Sequence, residues 1–96
     1  MSDAFVPPLL VEHASFGLRL ISDAMEAIEF LEEWPFEQRS KLHAGACEAC
    51  CAAYDGRCQA EAARKAFIAW AREAGVRACG SVIFEGVERA GVVELL

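Results

Sequence analysis

Four of the five cysteines of the chain fall in one stretch, HAGACEACCAAYDGRC, from His43 to Cys58. Three chemistries compete for it. A structural zinc site takes four Cys or His ligands in a tetrahedron, and one helix can supply two of them at i, i+4 spacing. His43 with Cys47, or Cys47 with Cys51, has that spacing, and Cys79 and Cys58 are the further ligands on offer. No second C-x-x-C pair completes the usual paired motif. A redox site would use CEAC, Cys47 to Cys50. Such sites put the first cysteine at a helix N-terminus, where the dipole favours the thiolate. A helix capped by Ser40 places one to two turns before Cys47 and removes that effect. A start at Ala46, capped by Gly45, would restore it.

The third reading is packing. A free cysteine behaves as a small apolar side chain. On a wheel of about 100° per residue, His43, Cys47, Cys50, Cys51 and Tyr54 share one side of a helix, with Glu48 at its border. This predicts a core-facing stripe in which Cys47 and Cys51 are buried and unligated. It is the reading preferred here, and no metal, cofactor or catalytic residue is assigned. The set His43, Cys47, Cys51 and Cys79 is the metal alternative.

Other catalytic constellations are missing from the sequence. His13 and His43 are its two histidines. The serines have no nucleophile-elbow context, and the glycines form neither G-x-G-x-x-G nor a Walker loop. Paired carboxylates fall on helix faces expected to be wet, where nothing would perturb their ionisation. The chain reads as a non-enzyme.

The elements that must hold the cysteine stretch can be read from pattern and punctuation. Leu9–His13 and Leu18–Ser22 alternate around a turn at Ser15–Gly17 and predict a β-hairpin. Pro7 and Pro8 suit a strand start or an edge. In SDAMEAIEFLEEWP, Asp23 and Glu26 make a capping box. Ala24, Ala27, Ile28, Leu31 and Trp34 form an apolar face, and Pro35 stops the helix at Trp34. Glu26, Glu29 and Glu33, with Glu32 nearby, read as a solvated acidic stripe. A second helix runs from a cap at Ser40 to Gly56. A third starts at Cys58 as N-cap, with Glu61 three residues on, and ends at Gly75. Its apolar stripe is Ala63, Ala66, Phe67, Trp70 and Ala74, opposite the Cys47 side of the second helix. Arg64, Lys65 and Arg72 mark its wet side. The tail from Arg77 to Leu96 holds SVIFEG and GVVELL, which read as short strands, one of them expected to pair with the hairpin.

At 96 residues, with 55% hydrophobic and 25% charged residues, the chain reads as one small globular domain with one core. A net charge of −6 argues against nucleic-acid and membrane-surface roles, both of which need a basic footprint. No apolar run approaches the ~20 residues of a membrane span. Asp3 and the paired prolines do not make an export signal, so a cytoplasmic chain with reduced thiols is expected.

The order of EWP, ACEACCAAYDG and AARKAFIAWAREAG resembles the small alphaproteobacterial proteins grouped as domain of unknown function 982. The matching residues are Trp34, Pro35, Ala46, Cys50, Gly56, Ala63, Arg64, Ala66, Phe67, Ala74 and Gly75, within a family-like core of about residues 9–76. The resemblance implies a compact α+β domain and brings no activity, so it assigns no functional residues. The expected architecture is α+β: an N-terminal antiparallel hairpin, with a third strand from the tail, packed against three helices. The expected function is that of a non-catalytic interaction or regulatory module that self-associates as a homodimer. Val82, Ile83, Phe84, Val87, Val92, Val93, Leu95 and Leu96 supply apolar surface for that contact. Thiol or zinc chemistry at Cys47, Cys50 and Cys51 is the alternative.

Overall fold

The computed structural model describes residues 3–80. Strand β1 (Ala4–His13) turns through residues 14–16 into strand β2 (Gly17–Asp23). Gly17 takes φ +75°, a left-handed conformation that costs glycine no Cβ clash. Helix α1 (Ala24–Glu33) follows at once, then a short 3-10 turn at Phe36–Gln38. Helices α2 (Lys41–Tyr54) and α3 (Ala60–Ala74) come next, and strand β3 (Arg77–Gly80) closes the series. The sheet is antiparallel in the order β2-β1-β3, with the first strand in its centre. The expected α+β architecture is present, and the third strand does come from the tail.

That strand lies at Arg77–Gly80, upstream of SVIFEG and GVVELL, which fall outside the described residues. Strand β1 begins at Ala4 rather than Leu9 and runs through Pro7 and Pro8, with a cis Val6–Pro7 bond. Its register with β2 is irregular between Ala4 and Leu9, where two consecutive residues lack an N–H to donate.

Helix α1 is punctuated as its sequence demands. Asp23 caps it, its carboxylate accepting from the Glu26 N–H at 2.9 Å. The Glu26 carboxylate reaches back to the Ser22 N–H at 2.7 Å. Glu26 is therefore a half-buried cap rather than part of a wet stripe, which is left to Glu29, Glu32 and Glu33. Phe30 joins the buried face, and Ile28 lies at its margin. Trp34 ends the helix in an extended conformation ahead of Pro35.

Helix α3 starts one residue later than the sequence suggests. Its N-cap is Gln59, which makes no side-chain capping bond. Cys58 instead belongs to the turn that closes α2. The Arg57 and Cys58 N–H groups both donate to the Ala52 carbonyl, at 2.7 and 3.3 Å, around Gly56 at φ +84°. Backbone groups thus satisfy the last carbonyls of α2, and no side-chain cap is required there. The buried face of α3 is Ala63, Phe67, Trp70 and Ala71, with Ala66 and Ala74 half-buried. Ile68 packs against the core margin. Arg64 is half-buried, and its Nε donates to the Pro7 carbonyl at 2.8 Å, tying α3 to β1.

The core lies between the helices and one face of the sheet. Leu9, Val11 and Ile21 point into it, against Ala24, Ala27, Phe30, Leu31, Phe67 and Trp70. An aromatic cluster forms its centre. Trp70 packs edge-on against Trp34 at 5.1 Å, Phe67 at 5.4 Å and Phe30 at 6.0 Å between ring centroids. Such tilted pairs place ring edges on π faces and add to simple burial. No helix among the described residues is long and apolar enough to cross a membrane.

Candidate functional site

The cysteine stretch occupies α2, and the helix starts where Ser40 indicates. Ser40 Oγ accepts from the His43 N–H at 3.3 Å. Gly45 lies inside the helix rather than at its start, so Cys47 is nearly two turns from the N-terminus. The alternative in which the helix dipole activates Cys47 does not hold.

The buried face of α2 is His43, Ala46, Cys50 and Ala53. Cys51 is exposed, Tyr54 is 55% exposed and Cys47 is half-buried. The expected burial of Cys51 is therefore wrong and that of Cys47 is only partial, because the wheel centres the stripe wrongly. The buried arc is centred about 80° round from Cys47, toward Ala46, which leaves Cys51 about 120° away and in solvent. The signal missed was the small pair Ala46 and Ala53. Set at i, i+7 on one face, they allow α2 to approach α3, where Ala63 and Ala71 are equally buried. Close helix packing selects small residues at the contact line, and the thiols lie beside that line.

His43 is the buried polar residue of this site, at 3% exposure. Its Nε2 lies 2.8 Å from the Leu31 carbonyl oxygen, so that nitrogen carries the proton and donates. Nδ1 is then the acceptor and faces Cys47 Sγ at 3.7 Å. The ring is also edge-on to Trp70 at 5.6 Å. His43 thus joins the C-terminus of α1 to α2 and satisfies both of its nitrogens, as a buried imidazole must.

This arrangement has the outline of a thiol–imidazole pair oriented by a third group, which is the geometry of an activated nucleophile. The electrostatics run the other way. Burial pushes the Cys47 thiol above its ordinary value, and Cys51 and Glu32 add to the rise; the Arg39 guanidinium opposes it and loses. Burial, with Cys47, Cys51 and Cys58 as neighbours, pushes Cys50 up to about 12. Both groups are thiols at neutral pH, whereas nucleophilic attack and metal binding need the thiolate.

The four residues of the metal alternative are not brought together. His43 and Cys47 are adjacent, but Cys51 points to solvent from the next turn. Cys79 is exposed on β3, in register with Leu10. Residues of that register row face away from the helices, so the fold puts Cys79 and Cys47 on opposite sides of the sheet. Cys58 directs its thiol to the Ala49 carbonyl at 3.6 Å. Among the described residues, no group of three or more His, Cys, Asp or Glu side chains is placed to hold a metal ion.

A shallow cleft of about 520 Å³, which the sequence did not indicate, opens at the hairpin end of the sheet. Glu12, His13, Leu18 and Arg77 are among its walls. Its histidine is engaged locally, with Nδ1 accepting from the Ser15 N–H at 3.1 Å and the ring edge-on to Trp34. Glu12 and Arg77 face each other at 3.7 Å, both largely in solvent, a pairing that contributes little to stability.

With this geometry in place, comparison with known families is direct. The family model described as "Protein of unknown function (DUF982)" matches residues 7–78. The chain belongs to the DUF982 family. The match spans the stretch from the prolines of β1 to the second residue of β3, so the hairpin, the helices and the start of the third strand are all part of the DUF982 domain. No curated protein and no solved structure matches the chain. DUF982 membership therefore gives the family without a reaction.

Two expectations test this description of the thiols. In native protein, Cys51 and Cys79 should react promptly with a thiol reagent, Cys47 and Cys58 more slowly, and Cys50 only on unfolding. Per-site labelling by mass spectrometry reads the order directly, and prompt labelling of Cys50 would contradict the packing of α2. The second concerns pH. The folded Cys50 thiol holds its proton to about 12, against 9.0 for the unperturbed group. Above pH 9 the unfolded chain loses that proton while the folded one keeps it, so stability falls as pH rises. The slope from this one group reaches up to about 1.4 kcal/mol per pH unit. Urea titrations from pH 8 to about pH 10.5 should show a steeper alkaline decline in the parent than in Cys50→Ala. Equal slopes would mean that Cys50 is not withdrawn from water.

Proposed function

We propose that the protein is a small non-catalytic interaction module that acts by associating with itself. One observation carries this reading. Helices α1 and α3 pack on one face of the sheet and α2 packs against them, and the other face presents Leu10, Leu18 and Leu20 with no element over it among the described residues. Leu18 is 64% and Leu20 is 50% exposed. Isolated apolar residues are ordinary on a surface, but a contiguous apolar sheet face marks a contact surface. A homodimer is the simplest closed arrangement that covers it. Light scattering behind size exclusion across the micromolar range tests the proposal. A mass of twice the chain that falls on dilution is the expected result. A monomer at the highest concentration rejects it.

A second reading, thiol- or zinc-dependent activity through Cys47, Cys50 and Cys51, is supported by the Cys47–His43 contact alone. Elemental analysis of native protein decides it, because one equivalent of bound zinc would move the assignment to that site.

A further inference from the structure

We propose that two copies meet sheet against sheet, with Leu10 at the centre of the contact, rather than joining their strands edge to edge. The inference rests on the self-association reading above and specifies its surface. The register fixes the outer face row by row. Leu10 on the central strand is flanked by Leu20 on β2 and Cys79 on β3, and Glu12 is flanked by Leu18 and Arg77.

The β2 edge is poorly suited to strand addition. The outer edge of β2 carries Arg19 on the helix-facing side, in register with buried Val11. Its guanidinium lies over the Phe30 ring at 5.4 Å and pairs with Glu33. An inward charge on an edge strand is a device that blocks pairing with a second chain.

The face also solves a charge problem. Each chain carries −6, so two copies repel wherever acids meet. The exposed acids Glu29, Glu32, Glu48, Glu61 and Glu73 stand on the helices. Among the described residues the outer sheet face carries one acid, Glu12, and it is matched by Arg77 at 3.7 Å. A neutral face bearing one charge of each sign is compatible with itself under a two-fold axis, and the helical faces are not. Three strands about 4.8 Å apart and about 20 Å long present roughly 300 Å² in projection. That is well below the ~800 Å² per partner of a standard interface, so the dimer is weak and dissociates in the micromolar range.

For face-to-face packing the two-fold axis lies between the sheets, and in any orientation the residue at the centre of the face stands nearest to its own copy. Leu10 is that residue. Chains carrying Leu10→Glu and Leu10→Lys should each dimerise at least tenfold more weakly than the parent, because like charges would meet at the axis. An equimolar mixture of the two should recover heterodimer with an affinity near the parental value, read by sedimentation or by native mass spectrometry, which separates the three species by mass. Circular dichroism checks that each variant folds. If either does not, Leu20→Glu and Leu20→Lys serve instead, because that side chain is already half in water. A parent dimer left unchanged by both substitutions, with no preference for the mixed pair, overturns the face and points to an edge or to residues 81–96. A monomeric parent overturns the self-association reading itself, so the two failures are distinguishable.

Discussion

Replacing Trp70 with alanine is expected to cost ~3–5 kcal/mol, the range for emptying a core aromatic site. Trp70 is fully buried and its ring contacts Phe30, Trp34, His43 and Phe67. The side chain therefore joins α1, α2 and α3 at one point. Against a total stability of about 5–15 kcal/mol for a domain of this kind, the variant should be partly unfolded at 37 °C. Its melting temperature should fall by roughly 15–30 °C. Urea denaturation followed by circular dichroism gives the free energy. A midpoint equal to the parent's would mean that the inner face of α3 is not the one described.

Phe30→Ala should be comparably severe, at ~3–5 kcal/mol, but its damage should be distributed differently. Phe30 is fully buried and touches Phe16 of the hairpin turn at 5.5 Å, Phe67 at 6.0 Å and Trp70 at 6.0 Å. It also lies beneath the Arg19 guanidinium. Removing it detaches the hairpin from the helices as well as opening the core. Amide exchange in β2 should therefore accelerate more in Phe30→Ala than in Trp70→Ala, even at matched global stability. The two rings also contact each other, so the double variant should lose less than the sum of the single losses, by about 0.5–1.5 kcal/mol. Strict additivity would show that the Phe30–Trp70 contact contributes nothing of its own.

How much of this was legible in the sequence depends on which residues carried the signal. Punctuation was legible because it is local. Asp23 with Glu26, Ser40, Gly56, Gly75 and the Trp34–Pro35 step act through their own backbone neighbourhood, and each lies where it was expected. The Cys58 cap failed because the competing interaction was also backbone, the paired donation of Arg57 and Cys58 to Ala52. On α1 the helical pattern pointed to Ile28 in place of Phe30, but the inner face of α3 was legible through Phe67 and Trp70, whose burial outweighs every alternative. The face of α2 was not, because it is lined by alanine, cysteine and histidine, none of which dominates a hydrophobic pattern. Its orientation follows from the closeness of α2 and α3, a tertiary quantity with no local record. The His43–Leu31 bond and the Cys79 position likewise depend on contacts between elements distant in sequence. The DUF982 resemblance added the order of elements and said nothing about any of these.

The place of β1 in the sheet has a consequence for the order in which the molecule can be assembled. The strand made first is the central one, and its second neighbour is the last described element to leave the ribosome. A nascent chain can close the β1–β2 hairpin and dock α1 early, because those contacts are local and carry little loop-closure entropy. The Leu9–Glu12 side of β1 stays unpaired until Arg77–Gly80 arrives. Through most of synthesis the unfinished domain therefore displays the kind of open strand edge that the finished one guards at β2, and its hazard is greatest before release rather than after.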